Sequence, residues 1–124
     1  MGEVFLAYDP LCKRKIALKQ IRGELAKHQT IRDRFLKEAR IAAQLIHPSI
    51  IPIYSINQDE TGIYYTMPYV EGETLRQHIR EAKAQEKEGK LPATNASIPS
   101  LMRVFLNVCQ AIAYAHAGGV IHRD

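Results

Sequence analysis

The sequence predicts an α+β fold: an antiparallel sheet with one packed helix, followed by a mainly helical part. Three observations predict it. Four short stretches rich in β-branched and aromatic residues are separated by turn residues, as strands are. Between the second and third, apolar residues recur at three- and four-residue steps, the period of an amphipathic helix. Beyond Glu71-Gly72 the remaining periodic segments are helical. Strands grouped with a single helix, rather than alternating with several, make an α+β unit.

Val4-Phe5-Leu6-Ala7-Tyr8 reads as the first strand, and Asp9-Pro10 opens a turn. Ile16 to Ile21 is the second strand, so the two form a hairpin that Gly23 ends. From about Thr30 to Ile46 the chain is helical. Ile31, Phe35, Ala39, Ala42 and Leu45 share a face, and His47-Pro48 terminates it. Two more strands are expected over about Ile51–Ile56 and Ile63–Met67, around a tight turn at Asp59-Glu60-Thr61-Gly62. A helix begins near Thr74. Residues 81–97 are charged and then loop-like, which predicts a frayed helix end and a solvent-exposed insertion. In the last helix Leu101, Val104, Phe105, Val108, Cys109, Ile112 and Ala115 share one face, and Gly118-Gly119 ends it.

Composition bounds the function class. A net charge of +4 suits a polyanionic ligand such as a nucleotide, and ordinary surface solvation explains it equally well. Cys12 and Cys109 are far apart. Cys109 falls on the apolar face and reads as a buried thiol, so neither a disulfide framework nor a zinc site is expected, and a reducing cytoplasm is favoured. No apolar run approaches the roughly 18 residues of a membrane span. His28 and His78 sit in polar stretches and read as solvated, His47 as a turn residue, and His116 as a helix-end residue. No metal-ligand spacing stands out. The Tyr and Phe residues read as packing.

One pair of charges carries chemistry. Lys19 lies at a strand end inside an apolar run, where a bare buried ammonium would cost several kcal/mol, on the order of other buried ions. Glu38 lies mid-helix beside Phe35, Ala39 and Ala42. Pairing the two would aim the ammonium at phosphate oxygens. Taken locally, two ordinary solvated charges read the same way.

Joined in order, the segments are more specific. Gly2-Glu3-Val4 leads into the first strand and Ala17-Leu18-Lys19 lies on the second. Arg34-Phe35-Leu36-Lys37-Glu38-Ala39 falls on the first helix, and Leu45-Ile46-His47-Pro48-Ser49-Ile50-Ile51 follows it. Tyr64 to Gly72 comes next, and the chain reaches His122-Arg123-Asp124. This series resembles the Hanks-type bacterial serine/threonine protein kinases of the Pkn group, and looks most like the PknD type of chlamydiae. The resemblance spans essentially the whole chain. It implies a kinase small lobe and hinge over residues 1–70. Over residues 71–124 it implies the start of a mainly helical large lobe with a charged insertion at 81–97.

The resemblance also implies roles, which follow the general kinase template. Gly2 is the last glycine of the loop covering the ATP phosphates. Val4 and Ala17 flank the adenine, and Lys19 holds the phosphates, oriented by Glu38. Met67 is the gatekeeper, with Pro68, Tyr69 and Val70 as the hinge. Pro68 departs from the common Glu, but proline keeps the carbonyl that faces adenine and loses only its N–H; Val70 supplies the donor. Asp124 orients the substrate hydroxyl and accepts its proton. Arg123 resembles the arginine that receives an activation-loop phosphate, and His122 is a packed structural residue.

The implied activity is transfer of the ATP γ-phosphate to Ser or Thr hydroxyls of protein substrates. Mg²⁺ is its metal, with ligands expected after Asp124; nucleic acid is not an expected partner, and no membrane segment is expected in this chain, with an anchor in sequence outside it left open. The front of the glycine loop is expected before Met1, so the chain reads as an incomplete catalytic domain, inactive and aggregation-prone by itself. Two rivals remain: a non-catalytic nucleotide-binding or scaffold module, and a basic interaction protein using Arg32, Arg34, Lys37 and Arg40.

Overall fold

A computed structural model describes residues 2–60, 62–90 and 97–122. Arg123 and Asp124 lie outside the described residues, as do positions 91–96 of the expected insertion. Four strands form one sheet: β1 (Gly2–Asp9), β2 (Arg14–Ile21), β3 (Ser55–Asp59) and β4 (Gly62–Pro68). Their order is β1-β2-β4-β3, and every pairing is antiparallel. Three helices accompany them: α1 (Gln29–Ala43), α2 (Leu75–Lys87) and α3 (Ile98–Ala117). The described residues fall into two compact units that divide between Tyr69 and Val70.

The β1–β2 turn is made by Asp9. Its Oδ1 accepts the N–H groups of Leu11 (3.1 Å) and Cys12 (3.0 Å). Lys13 takes a left-handed φ of 51° to return the chain. These donors, the Cys12 N–H foremost, hold the Asp9 carboxyl below its usual range, and the hydrogen bond to Asp9 in turn raises the Cys12 thiol.

Strand alternation sorts the sheet into two faces. Ile21 and Ile63 on one face pack with Phe35 of α1 as a buried cluster, and Leu25, Ala26, Ile31, Leu36 and Tyr65 close around it. Leu25 and Ala26 come from a 3₁₀ turn (Gly23–Lys27) where only a hairpin end was expected. On the other face the buried Thr66 shares a 2.8 Å hydroxyl contact with Ser55 across the β3–β4 ladder. Asn57 Nδ2 also donates to Ser55 Oγ at 2.8 Å.

Three boundaries differ from the sequence reading. The third strand starts at Ser55, not Ile51, because Pro52, inside the expected span, has no N–H to give a ladder; pairing begins with Tyr54 N–H to the Thr66 carbonyl at 2.8 Å. Helix α1 stops at Ala43, short of Ile46. Helix α2 runs on to Lys87 with ordered caps where fraying was expected. It starts in a capping box: Gln77 N–H donates to Thr74 Oγ1 (3.3 Å) and Thr74 N–H to Gln77 Oε1 (2.7 Å).

Helix α3 ends as its glycines predict. Gly119 adopts a φ of 74°, with Val120 N–H bonded to the Ala115 carbonyl (2.9 Å) and Gly119 N–H to His116 (2.9 Å). Its apolar side is open. Phe105 is 61% exposed, and Met102, Leu106 and Val108 are also exposed. Cys109 is exposed as well, correcting its reading as a buried thiol; no described element covers that face. By length and composition α3 would also suffice to cross a membrane, where no apolar run of that length was expected. The core helix of a soluble domain satisfies the same two criteria.

Candidate functional site

The register brings five of the sequence-predicted site residues onto one sheet face. Val4 pairs with Lys19, and Ala17 pairs with Met67 across the β2–β4 ladder. Alternation puts Gly2 and Val4 of β1, Ala17 and Lys19 of β2, and Met67 of β4 on the side where α1 packs. The α1 cluster occupies only the part of this face around Ile21 and Ile63. Nearer the Ala17 end, Val4 and Leu6 remain 58% exposed, so a strip of apolar surface stays open beside Lys19.

Gly2 lies directly against the lysine. A Cβ placed on Gly2 would stand 3.1 Å from the Gln20 carbonyl oxygen, 3.1 Å from Lys19 Cε and 3.4 Å from its Cγ. The backbone therefore passes over the lysine stem at a distance only glycine permits. A second tie fixes the same end of the hairpin: Arg22 Nε donates to Glu3 Oε1 at 2.9 Å.

The lysine tip does not go where the sequence argument sent it. Among the described residues no carboxylate lies within ion-pair reach of Lys19, and Glu38 projects into solvent from α1. Position explains this in part: Glu38 follows Phe35 by three residues, and Phe35 and Ala39 take the buried line of the helix. The Lys19 ammonium instead sits 5.7 Å from the centroid of the Tyr65 ring. Tyr65 faces Lys19 directly across the β2–β4 ladder and leans on Phe35, with ring centroids 5.2 Å apart. Tyr65 was read only as packing. Its signal lay in the register, two residues before Met67 and opposite Lys19.

The other predicted residues are placed as follows. Pro68 ends β4, half-buried, paired with Ile16; Tyr69 is exposed and has the Lys15 ammonium 6.0 Å from its ring. Val70 is exposed at the start of the second unit. Most aromatic residues do not pack as expected: Phe5, Tyr8, Tyr54, Tyr69, Phe105 and Tyr114 are exposed, and Tyr54 carries the Arg14 guanidinium at 4.0 Å. Arg34, Lys37 and Arg40 are exposed on α1, while the Arg32 Nε is buried without a hydrogen-bond partner.

His78 is not simply solvated. Its Nδ1 is 3.6 Å from Glu73 Oε2, and Glu81 joins them with all three candidate ligand atoms within 4.8 Å. Both glutamates are exposed, and an ion pair at the start of α2 accounts for the arrangement. His47 serves its turn, with Nδ1 accepting Ser49 N–H at 3.1 Å.

A four-stranded antiparallel sheet, a single packed helix and a strand lysine lying under a glycine are the features of a protein kinase small lobe, followed here by the first helices of the large lobe. The protein kinase domain family matches residues 1–124, and the chain belongs to it. It is 59% identical over 125 residues to the serine/threonine-protein kinase PknD of Protochlamydia amoebophila. It is 47% identical over 124 residues to PknD of Chlamydia pneumoniae. Each match covers 100% of this chain and 13% of the relative, so the chain spans about an eighth of those proteins. The crystal structure of the Mycobacterium tuberculosis PknI kinase domain superposes with a TM-score of 0.69 at 30% identity, over 100% of this chain and 47% of that one.

Proposed function

We propose that the protein transfers the γ-phosphoryl group of ATP to Ser or Thr hydroxyls of protein substrates. The observation that carries this reading is the half-buried Lys19, its stem under Gly2 and its ammonium without a carboxylate among the described residues, at the edge of an open apolar strip. A cation so placed suits a phosphate chain, and the exposed Val4 and Leu6, beside the buried Ala17, suit an adenine ring. The residues thus fit a nucleotide by shape and by charge.

In this reading Lys19 binds the α- and β-phosphates and Gly2 lets backbone approach them. Met67 closes the back of the adenine site, with Pro68 offering a carbonyl and Val70 an N–H at the hinge. Asp124 orients the attacking hydroxyl and takes its proton. When bound, Mg²⁺ would neutralise negative charge on the ATP phosphates. The relatives named as serine/threonine-protein kinases support the hydroxyl class.

One observation favours a second reading. With Glu38 away from Lys19, the site has the groups to hold a nucleotide without the ion pair that orients the lysine for transfer. That would make a nucleotide-binding module without transferase activity. The full-length protein with radiolabelled ATP and a mixed Ser/Thr protein substrate decides between them. Label transfer that disappears in Lys19→Met supports the kinase. ATP-induced thermal stabilisation with no transfer supports the binding module. Neither stabilisation nor transfer ends both.

A further inference from the structure

We propose that Tyr65 is a positioning residue for Lys19: its ring face seats the ammonium when no nucleotide is bound. The inference rests on the reading of Lys19 as the nucleotide lysine, and deepens it.

Lys19 has four rotatable side-chain bonds, and a free lysine side chain carries about 2 kcal/mol of rotamer entropy. Two contacts limit that freedom here. The stem is confined by Gly2, whose backbone leaves no room for a methyl group above Cε and Cγ. The tip lies 5.7 Å from the Tyr65 centroid, within the roughly 6 Å at which an aromatic face attracts a cation. Strand pairing enforces the meeting. Lys19 and Tyr65 are direct cross-strand partners, and such neighbours have Cβ atoms about 5 Å apart.

The ring is itself held. It packs against Phe35 at 5.2 Å with the planes inclined by 32°, and it borders the cluster of Ile21, Phe35 and Ile63. Phe35 lies one helical turn before Glu38 on α1. The ammonium's seat is thus mechanically tied to the helix that bears the glutamate. No other partner competes for the tip, because no described carboxylate reaches it.

The test is a series at constant size in the full-length protein. Tyr65→Phe keeps the ring face. Phenylalanines carrying one, two and three ring fluorines at position 65 then drain the electron density that attracts a cation. The readout is the rate at which an amine-acylating reagent modifies Lys19 without nucleotide, measured by mass spectrometry of its peptide, with the exposed Lys27 as internal reference. The expected result is a stepwise rise of about 2- to 5-fold from Phe to the trifluorinated ring, the fold-change of about 0.5–1 kcal/mol of cation–π attraction. Tyr65→Leu should exceed it, with its thermal midpoint measured alongside. A flat series overturns the proposal, whatever Tyr65→Leu does, because fluorination leaves the packing in place. Protection of Lys19 by added ATP is scored separately. Lost protection with an intact gradient sinks the nucleotide reading alone, and a flat series with intact protection sinks the Tyr65 seat alone.

Discussion

Gly2→Ala concentrates the site argument in one methyl group. The added Cβ would lie 3.1 Å from the Gln20 carbonyl oxygen and 3.1 Å from Lys19 Cε, both closer than ordinary van der Waals contact. The two obstacles differ in kind. The Gln20 oxygen is backbone in the β1–β2 ladder and yields little. The Lys19 tip can rotate away, so the lysine is the group that gives. Overpacking of this sort costs about 1–3 kcal/mol, and a flexible partner puts the cost at the low end. The lysine need give by only a few tenths of an ångström, short of the ~1 Å misplacement that loses on the order of 100-fold in rate. In the full-length protein Gly2→Ala should therefore lower kcat/KM for ATP by roughly 3- to 10-fold while the thermal midpoint falls only slightly. Gly23→Ala is the control, because a Cβ there meets nothing within 4 Å. Equal activity in the two variants would refute the placement of Gly2 over the lysine. A collapse of stability in Gly2→Ala without a selective loss of ATP use would show that the glycine serves the hairpin rather than the nucleotide.

Lys19→Met should abolish transfer, by about 100-fold or more, with little change in melting, because an unbranched chain of similar length fills the space under Gly2 without a charge. Phe35→Ala should cost about 3–5 kcal/mol in denaturant unfolding, since it empties the centre of the Ile21–Phe35–Ile63 cluster; a loss under about 1 kcal/mol would contradict that core. Asp9 has a depressed carboxyl, so its contribution is present above the unfolded value of 3.8 and lost as pH falls through the folded one. Asp9→Asn should accordingly flatten the pH dependence of stability below about pH 4, read by thermal melts from acid to neutral. The 124-residue polypeptide expressed by itself should self-associate in light scattering, because Met102, Phe105, Leu106 and Val108 are exposed along α3. Phe105→Glu should reduce that association.

Local chemistry made most of the fold legible. Asp9-Pro10, Thr74 with Gln77, and Gly118-Gly119 each set a turn or cap through their own backbone and neighbouring groups, and each appears where the sequence places it. The third strand was misplaced for a reason of the same local kind, the proline at 52, whose missing N–H outweighs the apolar pattern of Ile51 and Ile53. Cys109 failed differently. Helical periodicity identifies an apolar face correctly but says nothing of whether another element covers it, and none of the described ones does.

The destination of the Lys19 ammonium was beyond any of these signals. Residue type and strand position identify a cation that needs a partner, but a four-bond side chain reaches several, and the choice depends on which tertiary groups arrive first. Glu38 was the electrostatic favourite. A carboxylate on a solvated helix face nevertheless gains little from a distant lysine, since exposed ion pairs are worth about 0–1 kcal/mol. An aromatic ring already fixed by Phe35 requires no further ordering to receive the charge. Both partners answer to the same helix: Glu38 is carried by α1, and the ring is held by Phe35 of α1, so a shift of that helix moves the carboxylate and disturbs the seat together. Phosphate oxygens would attract the ammonium more strongly than the ring does, through charge-assisted hydrogen bonds roughly twice as strong as neutral ones. A weak seat on the ring and a stronger pull from phosphate explain why a nucleotide lysine can rest on Tyr65 and still be available to its ligand.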